Sequence, residues 1–321
     1  MIGMNQPQSC QNMLASFMKM SVDNESVKLS FECDEGYDVY NIAAPFLMNG
    51  REIIAARVER RDSEHSKVMF FEQNKEKWAP ITGAPILTLQ DPFVTKVNEE
   101  WIIGGVSTIT DPDDPEHILS WVTKFYRGIT LDQLQHFATG PDRMKDIRLL
   151  QLTDGKIFVC TRPQGVIGGR GQIGLTIIDT LDQLTIERIE KAHIYTDQFL
   201  AEEWGGANEL HQLNNGMVGI LGHIACFDEE GNRHYYSMTF AINPYSYERT
   251  AMKIIATRAM FLAGPTKRDD LIDVLFSGGI IRLEDGQATL YTGVSDAEAH
   301  YIHIVDPFIE YEELAIATPT V

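Results

Sequence analysis

A five-bladed β-propeller, all-β with a short N-terminal extension, is the fold this sequence predicts, and three observations predict it. Short strand patterns rich in β-branched and aromatic residues fill the chain from residue 27 onward, while amphipathic helical patterns are scarce. One kind of turn, an acidic or amide residue followed by Gly, recurs between them. Polar constellations also recur: with Asn41, Asp91, Asp146, Asn208 and Phe276 as markers, the steps are 50, 55, 62 and 68 residues. A four-stranded blade with generous loops occupies about 40 to 60 residues, so five such units use most of the chain.

In chain order, residues 1–25 form the extension, with 7–20 as its one amphipathic helical candidate, and 26–321 form a single propeller domain. Strands are predicted at 27–31, 51–58, 67–72, 100–105, 118–126, 156–161 and 216–222. The hairpin turns fall at Asn49-Gly50, Asp154-Gly155, Asn215-Gly216, Glu230-Gly231 and Asp285-Gly286, mostly pairs that tolerate positive φ. Residues 131–137 and 198–203 have the pattern of single helical turns. Gly169, Gly171 and Gly174 have the GxGxxG spacing, but no helix pattern follows them, so a loop or bulge is expected rather than a phosphate cradle. Nothing alternates as βαβα, which excludes Rossmann and TIM architectures.

The 321 residues carry 27 Lys+Arg against 46 Asp+Glu, a net charge of −19, with no basic run. That opposes nucleic acid and anionic membrane as partners and leaves sugars and cations open. No window approaches the roughly 20 consecutive apolar residues of a membrane span. Cys10, Cys33, Cys160 and Cys226 show no CxxC and no Cys/His cluster, so reduced thiols are expected, without zinc or disulfide. The apolar stretch 13–18 has no Lys or Arg ahead of it and is a poor secretory signal, which predicts a cytoplasmic location. Single histidines on strands are usually structural, and the spacing of His300 and His303 puts their rings on opposite faces, so no metal or cofactor is expected. A channel cation held by carboxylate or backbone oxygens would leave no trace in sequence.

In a propeller the innermost strand of each blade lines the central channel, so polar residues at its start gather in one funnel. Each constellation taken singly reads equally well as turn-formers and strand caps. Several of them resemble motifs of the five-bladed propeller glycosidases, most closely the β-mannoside phosphorylase and mannosidase family. Leu89-Gln90-Asp91-Pro92-Phe93 is similar to that family's Glu-Asp-Pro-Arg, with Gln90 and Phe93 as departures. Lys145-Asp146 resembles its Lys-Asp motif, Leu221-Gly222-His223 its Tyr-His-Gly, and Tyr291-Thr292-Gly293-Val294-Ser295-Asp296 its Tyr-Tyr-Gly-x-x-Asp, with 274–279 as a companion stretch. Asn41 in the stretch 40–45 is similar to an Asn-Pro element. Closer still, the chain is identified as a member of a family named only as domain of unknown function 1861. The resemblance spans residues 35–308.

The resemblance implies glycoside chemistry, with Asp91 as general acid. Cleaving a glycosidic bond needs a proton for the leaving oxygen and a nucleophile or activated water opposite it, hence paired carboxylates. Crowding by Asp146, Glu209 and Asp296 is expected to keep Asp91 protonated through like-charge repulsion. Any of those three is a candidate for the opposing group. The expected sugar contacts are Asn41, Arg57, Glu59, Lys145, Arg148, Trp204, Asn208 and His223, with Trp204 as the aromatic platform. Arg57 and Glu59 belong to a charged run, 57–64, that reads equally well as an exposed hairpin. Phosphorolysis would need a cation cluster, for which Lys145, Arg148, Arg162 and His223 are available. The net charge and the missing Arg at position 93 favour hydrolysis of a small carbohydrate. The alternatives are phosphorolysis and a non-catalytic carbohydrate- or protein-binding propeller.

Overall fold

The computed structural model of the protein describes residues 7–19, 25–114 and 117–314. Helix α1 (Cys10–Phe17) starts at Ser9, whose hydroxyl accepts the Asn12 N–H, and buries Cys10, Met13 and Phe17 at helical spacing. Strand β1 (Ser26–Lys28) follows.

Four sheets make up the rest. β2 (Tyr37–Tyr40), β3 (Phe46–Met48), β4 (Arg51–Arg60), β5 (Lys67–Asn74) and β6 (Lys77–Pro80) form the first, in the order β2-β4-β5-β6 with β3 also on β4. β7 (Gln90–Val97), β8 (Glu100–Thr110), β9 (Ile118–Gly128) and β10 (Gln135–Thr139) form the second. β11 (Arg148–Gln151), β12 (Ile157–Thr161), β13 (Gly174–Ile178) and β14 (His193–Ile194) form the third. The fourth has eight strands: β15 (Trp204–Gln212), β16 (Val218–Phe227), β17 (Arg233–Ile242), β18 (Lys253–Ala256), β19 (Asp273–Arg282), β20 (Gln287–Val294), β21 (Glu298–Val305) and β1. Within it, β17 and β19 are joined only by parallel pairing of His234 with Asp273 and Tyr235 with Val274; the other neighbours are antiparallel.

Central strands such as β12, and β16 from Val218 to Ala225, are buried on both faces, which is why they read as continuous apolar and glycine runs without alternation. Apolar clusters fill the gaps between successive sheets. One joins β3, β4 and β5 to β8, one the second sheet to the third, one the third to β15–β18 and α1, and one β16–β17 to β19–β21. Another packs β2, β4 and β5 against Ala299 of β21, so the sheets close a ring. The predicted Gly turns are present, with Gly50, Gly155, Gly216, Gly231 and Gly286 all at positive φ. At 131–137 only Leu131–Gln133 is helical, as a 3-10 turn before β10, and 198–203 forms turns without a helix. Among the described residues no helix is long and apolar enough to cross a membrane.

Candidate functional site

Residues at strand ends, strand starts and one hairpin turn come together on unusual backbone. Asn41, Asp91, Asp146 and Asp296 all have positive φ, at 43°, 50°, 59° and 50°. Asp and Asn bear this left-handed conformation better than other residues with a side chain, at a cost of about 1 kcal/mol each. A register shift between Gln90 and Phe93 accompanies the turn at Asp91 and re-aims its side chain. Asn41, Asp91, Lys145, Asp146, Arg162, His223, Arg233, Tyr235, Arg268 and Asp296 thereby line one cavity of about 200 Å³.

A single amide ties two of its three carboxylates together. Asn41 Nδ2 donates to Asp91 Oδ1 at 2.8 Å and to Asp296 Oδ1 at 3.2 Å. Asp91 Oδ1 also accepts from Arg57 Nη1 at 3.1 Å. Burial alone would raise both carboxyl pKa values. At Asp91 the Arg57 and Lys145 charges, with the Asn41 and Arg57 hydrogen bonds, outweigh burial and hold it below the ordinary carboxylate range. At Asp296 burial prevails, helped by the Asp91 charge, and its carboxyl is pushed up. This corrects the expectation for Asp91: the carboxyl that keeps its proton more readily is Asp296.

Arg57 is fixed from behind. Its Nε donates to Glu59 Oε2 at 2.6 Å, and Glu59 also accepts from Tyr40 Oη at 2.6 Å, Ser66 Oγ at 2.8 Å and Lys267 Nζ at 2.8 Å. Glu59 is therefore a buried anchor rather than a sugar contact, and the run 57–64 is not simply an exposed hairpin. Its effect reaches the cavity through Arg57 and Asp91.

The opposite wall carries cations. Asp146 Oδ2 lies 3.3 Å from Arg162 Nη1, and its Oδ1 3.6 Å from Arg148 Nη2. Burial opposes ionisation of Asp146, but the two guanidinium groups hold its pKa down. Arg162 Nε donates to the Gly205 carbonyl at 2.7 Å, and a Cβ on Gly171 would lie 2.7 Å from Arg162 Nη2, so the glycine-rich stretch packs around this guanidinium. Burial lowers the His223 pKa from 6.5 to about 3, against the pull of Asp146, and the ring is neutral at pH 7. Its Nδ1 lies 2.8 Å from Asn208 Oδ1, which makes Nδ1 the protonated nitrogen, and the ring stacks on Tyr235 at 5.3 Å. Lys145 makes no hydrogen bond or ion pair to another described residue. Four cations thus face three carboxylates in a chain whose net charge is −19.

Not every expected residue reaches this cavity. Glu209 accepts the Ile280 N–H at 2.7 Å and pairs with His211 at 2.8 Å in a second cavity of about 270 Å³. That cavity is lined by residues a few positions farther along the same inner strands, Arg148 and Asn208 among them, so the channel has two chambers and Glu209 belongs to the other one. Arg148 lies over the Phe93 ring at 4.5 Å and donates to the Asn208 carbonyl at 2.7 Å. The departure at position 93 is thus a packing surface for Arg148. Trp204 is covered by Phe227, with Arg170 over its ring, and its Nε1 donates to Tyr235 Oη at 3.0 Å. It steadies Tyr235, which lines the cavity. Arg233 and Arg268 were not foreseen; they come from a strand edge and a loop with no motif around them. Among the described residues no group of three or more His, Cys, Asp or Glu is placed to hold a metal ion.

Sheets closed in a ring, with carboxylates and cations gathered in one cavity, define a propeller of the carbohydrate-active enzyme type. The chain belongs to the family described as Protein of unknown function (DUF1861), which it matches over residues 16–310. It is similar to MPT-4, a mannose phosphorylase from Leishmania mexicana solved in complex with phosphate ion, at 38% identity and a TM-score of 0.87, with 96% of each chain covered. It is likewise similar to MPT-1, a GDP-Man-dependent mannosyltransferase from Leishmania mexicana, at 32% identity and a TM-score of 0.86, covering 96% of this chain and 98% of that one. A β-1,2-mannobiose phosphorylase from Listeria innocua shares the fold at 14% identity and a TM-score of 0.61, over 88% of this chain and 94% of that one. No curated protein matches the sequence.

Proposed function

We propose that this chain is a mannoside phosphorylase working in the cavity around Asp91 and Asp296. The observation that carries the reading is the meeting of two amide-bridged carboxylates with four cations in one cavity: Lys145, Arg162 paired with Asp146, and Arg233 and Arg268 paired with Asp270. The net charge and the missing Arg at position 93 favour hydrolysis, but locally a phosphate dianion would meet cations where the chemistry occurs, which supports phosphorolysis. The likeness at 38% identity to a mannose phosphorylase with bound phosphate supports the same choice.

In this reading a phosphate oxygen forms a bond to the anomeric carbon as the glycosidic C–O bond breaks. The leaving oxygen takes a proton from the Asp91–Asp296 pair, in which Asp296 is the carboxyl whose pKa burial raises. Lys145 and Arg162 hold the phosphate, and neutral His223 and Tyr235 contact sugar hydroxyls. In reverse, the ionised pair accepts the proton of the acceptor hydroxyl. Arg57, Glu59, Asn208 and Trp204 act as positioning residues. We also infer that the eight-stranded sheet counts as two four-stranded blades meeting at β17 and β19, which makes five blades with the other three sheets and a single propeller domain.

Incubation with mannobiose in the presence and absence of phosphate tests this. Cleavage that requires phosphate is expected, with Asp91→Asn and Asp296→Asn each lowering it by roughly 10²-fold or more. Equal release of free mannose without phosphate would make the protein a hydrolase. Turnover with GDP-mannose alone would make it a nucleotide-dependent transferase.

A further inference from the structure

Beside the reacting cavity lies a larger one, of about 600 Å³, lined by Trp121, Met144, Pro163, Gln164 and Ile167 among others. The two are contiguous along the chain at two points. Met144 of the larger cavity precedes Lys145 of the smaller, and Arg162 of the smaller sits between Thr161 and Pro163 of the larger. The first point lies in the segment between β10 and β11, the second at the end of β12.

The lining has the chemistry of a sugar-chain site. Trp121, Met144, Pro163 and Ile167 offer an apolar platform, which suits the C–H faces of pyranose rings. Three polar atoms, the donor Trp121 Nε1, the acceptor Gln164 Oε1 and the Thr161 hydroxyl, are shielded from solvent without a protein hydrogen-bond partner. A donor, an acceptor and a hydroxyl match sugar hydroxyl groups, which supply both roles. At the rim Asp142 and Glu190 oppose Arg143, a balance that favours a neutral ligand over a diphosphate. The loop over the cavity is closed by reciprocal bonds between Gly165 and Gly169, both at 2.8 Å, and presents exposed Val166 and Ile167. The reacting cavity itself is too small for a glycoside of several units.

We propose that this cavity binds the part of an oligosaccharide beyond the scissile bond, as a subsite for two or more further sugar units, and sets the preference for chain length. The inference rests on the phosphorylase reading for which sugar it takes, but its test does not need turnover. Binding of two-unit and five-unit manno-oligosaccharides to the Asp296→Asn protein is measured by calorimetry, with Trp121→Ala and the exposed-site variant Ile167→Ser added in turn. The five-unit chain is expected to bind about tenfold more tightly than the two-unit chain, and both added variants are expected to remove that difference while leaving two-unit binding unchanged. A length preference that survives both variants, no binding of the five-unit chain, or GDP competing with it for the cavity would each overturn the proposal. If the length preference is lost as expected while the wild-type protein proves not to need phosphate, the subsite stands and the phosphorylase reading falls.

Discussion

Asp91 and Asp296 accept hydrogen bonds from one amide, yet their surroundings drive them apart. Burial acts on both, but Arg57 touches only Asp91, so one carboxylate is stabilised and the other is left as its like-charged neighbour. The signs follow from linkage. A raised carboxyl pKa adds stability at low pH that is lost as pH rises through it, so the charged form of Asp296 works against folding. Asp296→Asn is therefore expected to raise the melting temperature, by roughly 1–3 °C, while abolishing turnover. Asp91→Asn is expected to lower it, because Arg57 loses a partner inside the protein. His223 acts on the acid side. Its pKa of about 3 in the folded chain lies below the ordinary 6.5, so its contribution is complete above about 6.5 and declines as pH falls toward 3. Depressed Asp91 adds to that decline. Melting curves of wild type and His223→Gln between pH 4 and 7 check this: the acid slope should be shallower in the variant. Asn41, Asp91, Lys145, Asp146, His223 and Asp296 were legible as residues because short motifs carry them. The protonation of Asp91 was not, since Arg57 reaches it from another strand, and Arg233 and Arg268 arrive from segments without a motif.

At the scale of elements, the Gly-containing hairpins were readable because a positive φ restricts which residues fit, as at Asn49 and Gly50 with φ of 53° and 76°. Helical periodicity was a weaker guide: 198–203 has the pattern of a helical turn but forms turns that lead into β15, where Glu203 instead accepts the Cys10 N–H at 2.7 Å and anchors α1. The late glycine motif has a structural explanation that its spacing did not reveal. A Cβ on Gly293 would lie 1.9 Å from Asn41 Oδ1, and one on Gly278 would lie 1.9 Å from the Ile42 carbonyl, so both glycines let the first sheet approach the last. Gly293→Ala is expected to displace the amide that bridges Asp91 and Asp296, costing about 1–3 kcal/mol of stability. Turnover should fall further than the loss of folded protein explains. Melting curves and rates on the same preparation separate the two effects, and an unchanged rate would show that Asn41 tolerates the added methyl.

Across the whole molecule, ring closure depends on the first residues of the chain. β1 pairs with β21 through Ser26 with Ile302, Val27 with Tyr301 and Lys28 with His300, and Lys28 also pairs with Glu298. Together with α1 buried on the cluster between the third sheet and β15–β18, this makes the N-terminal segment part of the folded body. Removing residues 1–28 is expected to lower the melting temperature by ~10 °C or more, since it exposes the edge of β21 and the apolar surface that Cys10, Met13 and Phe17 of α1 cover. A melting temperature within about 2 °C of the full chain would contradict that. The all-β character was legible from the strand patterns, because short β-branched and aromatic runs bounded by Gly turns leave no room for long helices. The electrostatics were not, because net charge averages over the surface while the cavity collects four cations from distant segments. The most direct test of the account is phosphorus NMR of the protein incubated with mannobiose and inorganic phosphate. Mannose 1-phosphate should appear as inorganic phosphate is consumed, with Lys145→Ala slowing it by roughly 10²-fold. Cleavage of the disaccharide with the phosphate signal unchanged would contradict it.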